Sequence, residues 1–269
     1  MNLYNKQLNK AFQSKSVLKI ITGINNTNIG NVLKISKAAD LSTATYLDVA
    51  ANVTLVKSLK SYSNLPICIS SINPIDLYNC VLAGADLVEV GNYDFFYNKG
   101  IYLTAEQILN LSLEVKRLIQ GIDICVTIPY HIGLLEQVLL AKELENIGIS
   151  IIQTEGISRF YQTEFTSHIT GISNIIDTSI PSLYSTHFLS KFVNIPIIAS
   201  SGFTNILVPL AYTYGASGIG IGSSVQKQKN IASIVKYINQ SHNLMQSVKK
   251  LETIGSLSNS VSKLFTNLV

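Results

Sequence analysis

Short apolar runs recur along the chain, and segments with helical spacing separate them. Most positions in each run are apolar and rich in Ile and Val, which is typical of parallel strands that helices bury on both faces. Eight such runs predict strands at residues 17–22, 45–49, 66–70, 87–91, 124–128, 149–154, 195–200 and 218–222.

The segments between the runs predict helices, because their apolar residues recur every three to four positions. These helices are expected at residues 29–40, 54–60, 74–83, 104–120, 132–147 and 203–214. A further helix at 2–14 is expected to cover the bottom of the sheet, and one at 231–239 follows the last strand. The tail to residue 269 is expected to add another helix, with a Ser-rich linker at 256–262. Residues 157–190 depart from the regular spacing and predict an extended loop followed by a helix.

Eight strand–helix units favour a closed (β/α)8 barrel, the TIM barrel, within the α/β class. We expect one domain over residues 1–269, with an N-terminal helix and a C-terminal helical extension. A doubly wound open sheet is the alternative architecture. Its first strand should lead into a Gly-rich nucleotide loop, whereas Gly23 is the one glycine in that turn here.

Composition narrows the classes of function. The chain is 47% hydrophobic with a mean hydropathy of +0.30, which suits a large core, but no apolar run approaches the roughly 18 to 20 residues of a membrane span. The net charge of +4 is carried by scattered lysines, so the sequence predicts neither a membrane nor a nucleic-acid partner. Residues 1–16 lack the features of a secretory or transit segment, and we expect the protein to stay where it is made.

Cysteine usage argues against metal and disulfide chemistry. Cys68, Cys80 and Cys125 are odd in number, and two of them lie in predicted strands. Buried thiols in a reducing compartment are the expectation. No metal-ligand spacing is present, and we predict no metal site.

Two Gly- and Ser-containing turns follow the seventh and eighth predicted strands. Ser201 and Gly202 lie in the turn after the seventh strand, and Gly222 and Ser223 lie in the turn at the end of the eighth. Loops at these two places of a (β/α)8 barrel often hold a phosphate, because glycine lets backbone N–H groups approach the anion. The alternative is that the glycines only make tight turns. The sequence predicts a phosphate or phosphorylated ligand between the two turns.

Charged and polar residues interrupt several apolar strands. Lys19, Asp48, Glu89 and Thr127 lie in the first, second, fourth and fifth strands, and Glu155 follows the sixth. Burying an unpaired charge is costly, so we expect Lys19 to reach Asp48 or Glu89 inside the barrel. In a functional interpretation Lys19 is an electrostatic partner or acid, and Asp48 or Glu89 is a base. The alternative is a polar core with a structural role only.

Two further places could carry chemistry. His131 follows the fifth strand, where it is expected to meet an anionic ligand or act as a general acid, or else to be an exposed or capping residue. Asn92 and Asp94 offer hydrogen bonds after the fourth strand, and aromatic residues up to Tyr97 follow them. This loop is expected either to cover a ligand or to be simply packed.

Four segments resemble the hypothetical chloroplast reading frame twenty-three family: LDVAA at 47–51, GADLVEVGNYD at 84–94, VTIP at 126–129 and IASSG at 198–202. The resemblance implies a plastid-encoded protein of the chloroplast stroma and an aldolase-type, phosphate-binding barrel, with no reaction established for the family. The two final turns are also similar to those of FMN-binding barrels at Gly202, Gly222 and Ser223. The first strand lacks the flavin-contact turn of those enzymes.

Three functions remain open at this point. The leading one is an enzyme, a lyase, isomerase or synthase, acting on a small phosphorylated metabolite. An FMN-dependent oxidoreductase is the first alternative, and FMN is then the cofactor. A non-catalytic regulator that binds a phosphorylated metabolite is the second. The sequence leaves a homo-oligomer open.

Overall fold

The computed structural model describes residues 3–157 and 172–253, without the side chains of 172–177 and 251–253, and elements are numbered within these ranges. Eight parallel strands form a closed barrel in sequence order, with β1 paired to both β2 and β8. The strands are β1 (Val17–Ile21), β2 (Tyr46–Ala50), β3 (Ile67–Ser71), β4 (Leu87–Val90), β5 (Asp123–Ile128), β6 (Ile151–Thr154), β7 (Ile197–Ala199) and β8 (Gly218–Ile221). The predicted (β/α)8 barrel is confirmed. That the whole chain forms one domain stays a prediction.

Helices follow the strands and surround the barrel. They are α1 (Lys6–Gln13), α2 (Ile29–Asp40), α3 (Val53–Tyr62), α4 (Pro74–Leu82), α5 (Asp94–Tyr97), α6 (Ala105–Leu118), α7 (Leu134–Asn146), α8 (Ile172–Leu189), α9 (Val208–Thr213), α10 (Ser223–Gln226) and α11 (Ile231–Thr253). None of the helices in these described ranges has the length and apolar content needed to cross a membrane.

Side-chain caps explain where several helices begin. The side chains of Asn5, Asn28, Asn52 and Asn73 each accept a hydrogen bond from a backbone N–H in the first turn of the following helix. Thr104 forms a reciprocal capping box with Gln107 at the start of α6.

Three helical predictions need correction. The segment predicted as one helix at 203–214 is a 3-10 helix, Asn205–Leu207, followed by α9, because Pro209 fits the first turn of a helix and cannot continue an earlier one. The last helix does not end at residue 239 but continues as α11 to Thr253. The short helices α5 and α10 lie in segments expected to be loops. The predicted Ser-rich linker and the loop up to residue 171 lie outside the described residues.

The lower end of the barrel is apolar and covered by α1. Seven strands contribute one buried residue each to this layer: Val17, Tyr46, Cys68, Leu87, Cys125, Ile151 and Ile198. Leu8 and Phe12 of α1 pack against them, and the Asp123 carboxylate accepts hydrogen bonds from the N–H groups of Tyr4 and Asn5. The expectation that an N-terminal helix covers the bottom is confirmed, and functional groups must therefore meet at the other end.

Candidate functional site

A cavity of about 430 Å³ opens at the carboxyl ends of the strands. This is the end at which (β/α)8 barrels carry their ligands, because eight loops meet there. Its walls come from the ends of β1, β4, β6, β7 and β8 and from the loops that follow these strands. The lining residues are Ile21, Gly23, Ile24, Asn25, Asn92, Asp94, Phe95, Asn98, Ile157, Thr178, Ser200, Ser201, Gly202, Gly220, Gly222, Ser223 and Gln226.

The loops after β7 and β8 form one wall of the cavity. Ser201 and Gly202 both have left-handed backbone conformations, with φ of 75° and 68°. A Cβ at Gly202 would lie 2.5 Å from the Thr178 hydroxyl, so glycine is required there for space as well as for φ. The Ser224 hydroxyl donates to the Phe203 carbonyl at 2.9 Å and joins the two loops.

Backbone N–H groups on this wall are available to an anion. Within the described residues, the amides of Ser201, Gly202 and Ser223 donate to no protein acceptor. Buried or half-buried N–H groups are nearly always paired in proteins, which suggests that a solvent or ligand acceptor serves these. All four residues predicted for phosphate, Ser201, Gly202, Gly222 and Ser223, line this cavity.

Three charged side chains meet inside the barrel below the cavity. The Lys19 ammonium lies 2.8 Å from Asp48 Oδ2 and also binds Glu89 Oε2. All three side chains are buried, at 0%, 1% and 0% exposure. The expected contact of Lys19 with Asp48 or Glu89 is confirmed, and Lys19 reaches both. None of the three is among the residues that line the cavity.

Uncharged polar side chains complete the hydrogen bonds of this buried network. Gln153 of β6 accepts from Lys19 at 2.8 Å and donates to Glu89 Oε1 at 2.8 Å. Thr127 donates to the same Glu89 oxygen at 2.8 Å. Ser70 donates to Asp48 Oδ1 at 2.5 Å. Sequence reasoning missed Gln153 and Ser70. For Gln153 the signal was available, because this glutamine follows two isoleucines in a buried strand.

The electrostatics of the network follow from burial and pairing. Burial alone would lower the pKa of Lys19, but the Asp48 and Glu89 carboxylates outweigh it and raise that pKa well above its usual value. Burial raises the pKa of Glu89, and the Lys19 charge opposes this shift. The two carboxylates therefore favour the charged ammonium form of Lys19.

Asn92 connects the network to the cavity. Its amide nitrogen donates to Asp48 Oδ2 at 3.0 Å, while the side chain also lines the cavity. Its backbone is in the left-handed region, with φ of 61°. Three non-glycine residues have positive φ in the described part of the chain, and two of them, Asn92 and Ser201, lie on the cavity wall. Strained conformations of this kind concentrate at functional sites.

A second buried acid lies beside the cavity at the end of β6. Glu155 is 4% exposed and accepts a hydrogen bond from the Tyr97 hydroxyl at 2.6 Å. Burial raises the pKa of Glu155 well above its usual value, and the negative charge of Asp94, a cavity residue, adds to the effect. A carboxyl in this environment favours its neutral, protonated form.

His131 is hydrogen-bonded neither to the Lys19 network nor to Glu155 within the described residues. Its Nε2 lies 3.0 Å from the Leu103 carbonyl, and its ring packs edge-on against Tyr97, Tyr102 and Tyr130. It lies outside the lining of the cavity and away from the Lys19 network. The aromatic rings hold the imidazole in a packed cluster, and a role of His131 towards an anionic ligand stays a prediction.

The chain is similar to a known sequence family. A family model described as "Protein of unknown function (DUF561)" matches residues 3–261. "Uncharacterized protein ycf23" of Antithamnion sp. is 46% identical over 244 residues, which are 89% of this chain and 88% of the relative. The protein of the same name from Porphyra purpurea is 37% identical over 249 residues, covering 90% and 92%.

Solved structures with the same fold include two enzymes of phosphorylated compounds. (S)-3-O-geranylgeranylglyceryl phosphate synthase from Thermoplasma acidophilum, in complex with sn-glycerol-1-phosphate, has a TM-score of 0.61 at 10% identity, covering 92% of this chain and 99% of that one. 3-Hexulose-6-phosphate synthase from Salmonella typhimurium also has a TM-score of 0.61, at 12% identity, covering 86% and 99%. At these identities the similarity shows the fold alone.

Proposed function

The chain belongs to the Ycf23 family (DUF561), and we propose that it is an enzyme, a lyase, isomerase or synthase, acting on a small phosphorylated metabolite. The observation that carries the proposal is the cavity wall on which Ser201, Gly202 and Ser223 offer unpaired backbone N–H groups. A phosphate accepts from several such groups at once without a basic side chain.

The roles within the site follow from contact with the cavity. Asp94 is the titratable side chain that the described residues supply to its lining, so proton transfer is assigned to it. Lys19, Asp48 and Glu89 lie below the cavity and are assigned to electrostatic support of its floor. This assignment replaces the direct acid and base roles suggested by the sequence.

The structural similarities support a phosphorylated ligand and give no support to the flavin alternative. The two enzymes described above carry phosphorylated compounds in their names, and the complex contains sn-glycerol-1-phosphate. Family membership supports a plastid location. We place the protein in the stroma as part of the same proposal, in agreement with a reaction on a small metabolite.

Gly222→Ala tests the anion wall. The added Cβ would lie 3.4 Å from Ile21 Cβ, a tolerable contact, while occupying space beside the expected phosphate. We expect the dissociation constant of sn-glycerol-1-phosphate, measured by calorimetry, to rise about tenfold or more, equivalent to about 1.4 kcal/mol. Gly133→Ala is the matched control, because no atom lies within 4 Å of its added Cβ. Equal affinity in both variants would contradict the site.

Turnover distinguishes the enzyme from a binding protein. The wild-type protein would be incubated with a panel of phosphorylated metabolites, and the mixtures would be analysed by mass spectrometry for converted products. Conversion of at least one compound supports the enzyme. Binding of phosphate esters with no conversion across the panel would favour the non-catalytic regulator instead.

A further inference from the structure

The side chain of Asn92 has a fixed orientation between the buried network and the cavity. Asp48 is a carboxylate that only accepts hydrogen bonds, so the amide group 3.0 Å from its Oδ2 must be the NH₂ of Asn92. The assignment of the two amide atoms therefore follows from chemistry. Among the described residues, no donor is bonded to the remaining carbonyl oxygen, Oδ1.

Asp48 cannot release this amide at low cost. Its Oδ2 also accepts from Lys19 at 2.8 Å, and its Oδ1 accepts from Ser70 at 2.5 Å. The carboxylate is 1% exposed, so rotation would leave a buried charge without partners. Lys19 and Ser70 thus fix Asp48, and Asp48 fixes the amide of Asn92.

The backbone of Asn92 supports a role for this position. Its φ of 61° is in the left-handed region, which asparagine tolerates better than most residues but still at a cost. Such a conformation persists where the surroundings impose it, and here it delivers a polar side chain to the cavity wall.

We propose that the Asn92 carbonyl recognises a hydroxyl group of the phosphorylated ligand, so that the substrate class is a phosphate ester of a hydroxylated carbon compound. The inference rests on the proposed function, since it needs the phosphate on the opposite wall. A fixed acceptor selects a donor, and a site built to bond a hydroxyl disfavours an analogue without one, because the acceptor is then left unpaired. Asn92 is the specificity residue, and Asp48 is its positioning residue.

A pair of ligands tests the proposal in the wild-type protein. sn-Glycerol-1-phosphate carries hydroxyl groups on the two carbons that follow its phosphorylated carbon, and n-propyl phosphate lacks both. We expect the hydroxylated ester to bind about three- to tenfold more tightly by calorimetry, the range of one hydrogen bond. Inorganic phosphate, as the third probe, reports on the anion wall alone.

Asn92→Gly removes the amide and keeps the positive φ, since glycine adopts it without strain. We expect this variant to bind both esters with the affinity of wild type for n-propyl phosphate, and to bind inorganic phosphate as wild type does. Asn98→Ala is the control, because Asn98 lines the same cavity without a bond to the buried network. It should keep the preference for the hydroxylated ester. Thermal unfolding of each variant confirms folding.

The outcomes separate this inference from the proposed function. Tight binding of inorganic phosphate with equal affinity for the two esters would overturn the role of Asn92 and leave the phosphate site standing. A uniform loss over all three probes in Asn92→Gly would also overturn it, since that is the result of a merely structural loop residue. Absence of binding by every probe would reject both proposals. If Asn92→Gly fails to fold, the wild-type preference decides.

Discussion

At the scale of single residues, Lys19 provides the positive charge that balances the buried carboxylates of Asp48 and Glu89. Its ammonium is the cation between two buried carboxylates, and the uncharged partners Ser70, Thr127 and Gln153 cannot neutralise them. A buried charge without its partner is far more costly than an intact pair.

Lys19→Met should therefore destabilise the protein by about 3 to 5 kcal/mol, measured as the free energy of unfolding in urea. Lys60→Met is the matched control, because the bridge of Lys60 to Asp86 is exposed on the surface, with 39% and 25% exposure. That variant should lose at most about 1 kcal/mol. Similar losses in the two variants would show that the inner network contributes no more than a surface pair.

Glu155 should make stability depend on pH. Its pKa is raised in the folded protein by burial and by Asp94, whereas an unfolded glutamate titrates near about 4.3. The neutral carboxyl is thus favoured by folding. This contribution is complete below pH about 4.3 and is lost as the pH rises towards the folded pKa.

The measurement is the free energy of unfolding of wild type and Glu155→Gln between mildly acidic and neutral pH. Glutamine resembles the protonated acid and keeps an acceptor for Tyr97. We expect wild-type stability to fall relative to the variant by up to about 1.4 kcal/mol per pH unit above the ordinary range of glutamate. Parallel curves would indicate that Glu155 is ionised in the folded protein.

Single residues also show what sequence reasoning can and cannot find. Lys19, Asp48 and Glu89 were predictable as a group, because a charge inside an apolar strand needs a partner on the barrel axis. Their exclusion from the cavity was not predictable, since depth along the axis depends on the register between strands. The local sequence around His131 contains Tyr130, but it could not show that the distant Tyr97 and Tyr102 also pack against the imidazole.

Among the elements, β8 differs from the other strands because its inward positions are glycines. A Cβ at Gly218 would lie 2.6 Å from Val17 Cβ, and one at Gly220 would lie 2.7 Å from the Ser200 hydroxyl. Gly222 has ordinary contacts only and faces the cavity. Packing therefore requires Gly218 and Gly220, whereas Gly222 is not required by packing and lies where the ligand is proposed to bind.

Gly218→Ala should destabilise the barrel by about 1 to 3 kcal/mol, as expected for overpacking. The adjacent strand must shift, because the new carbon also approaches the Val17 carbonyl at 3.1 Å. Gly222→Ala, measured in the same thermal unfolding series, should stay within about 0.5 kcal/mol of wild type. Equal destabilisation by the two variants would remove the distinction between packing and ligand glycines.

The elements themselves were largely predictable from periodicity. Each of the eight strands overlaps its predicted run, and β2, β3 and β5 extend one residue beyond it, because two-sided burial leaves a continuous apolar signal. The short helices α5 and α10 were missed, since four residues are too few to show a helical period. The division of segment 203–214 could have been recognised from Pro209, which indicates the start of a helix.

For the whole molecule, closure of the barrel explains how distant residues become neighbours. Asn92 follows β4 and Ser201 follows β7, so the two residues are far apart in the sequence. Both line one cavity because the carboxyl ends of all the strands meet at the same mouth of the barrel. The family resemblance and the fold were accessible from sequence, and both are confirmed. The chemistry of a reaction is not given by a fold that supports many different activities.

The helix α1 beneath the barrel has a kinetic consequence. Leu8 and Phe12 close the lower end together with the apolar layer, so the cavity communicates with solvent through its upper mouth. In the proposed enzyme, substrate and product would enter and leave through this one opening. A retained product would exclude the next substrate, and the phosphate contacts proposed to hold the ligand would then also limit the rate of product release.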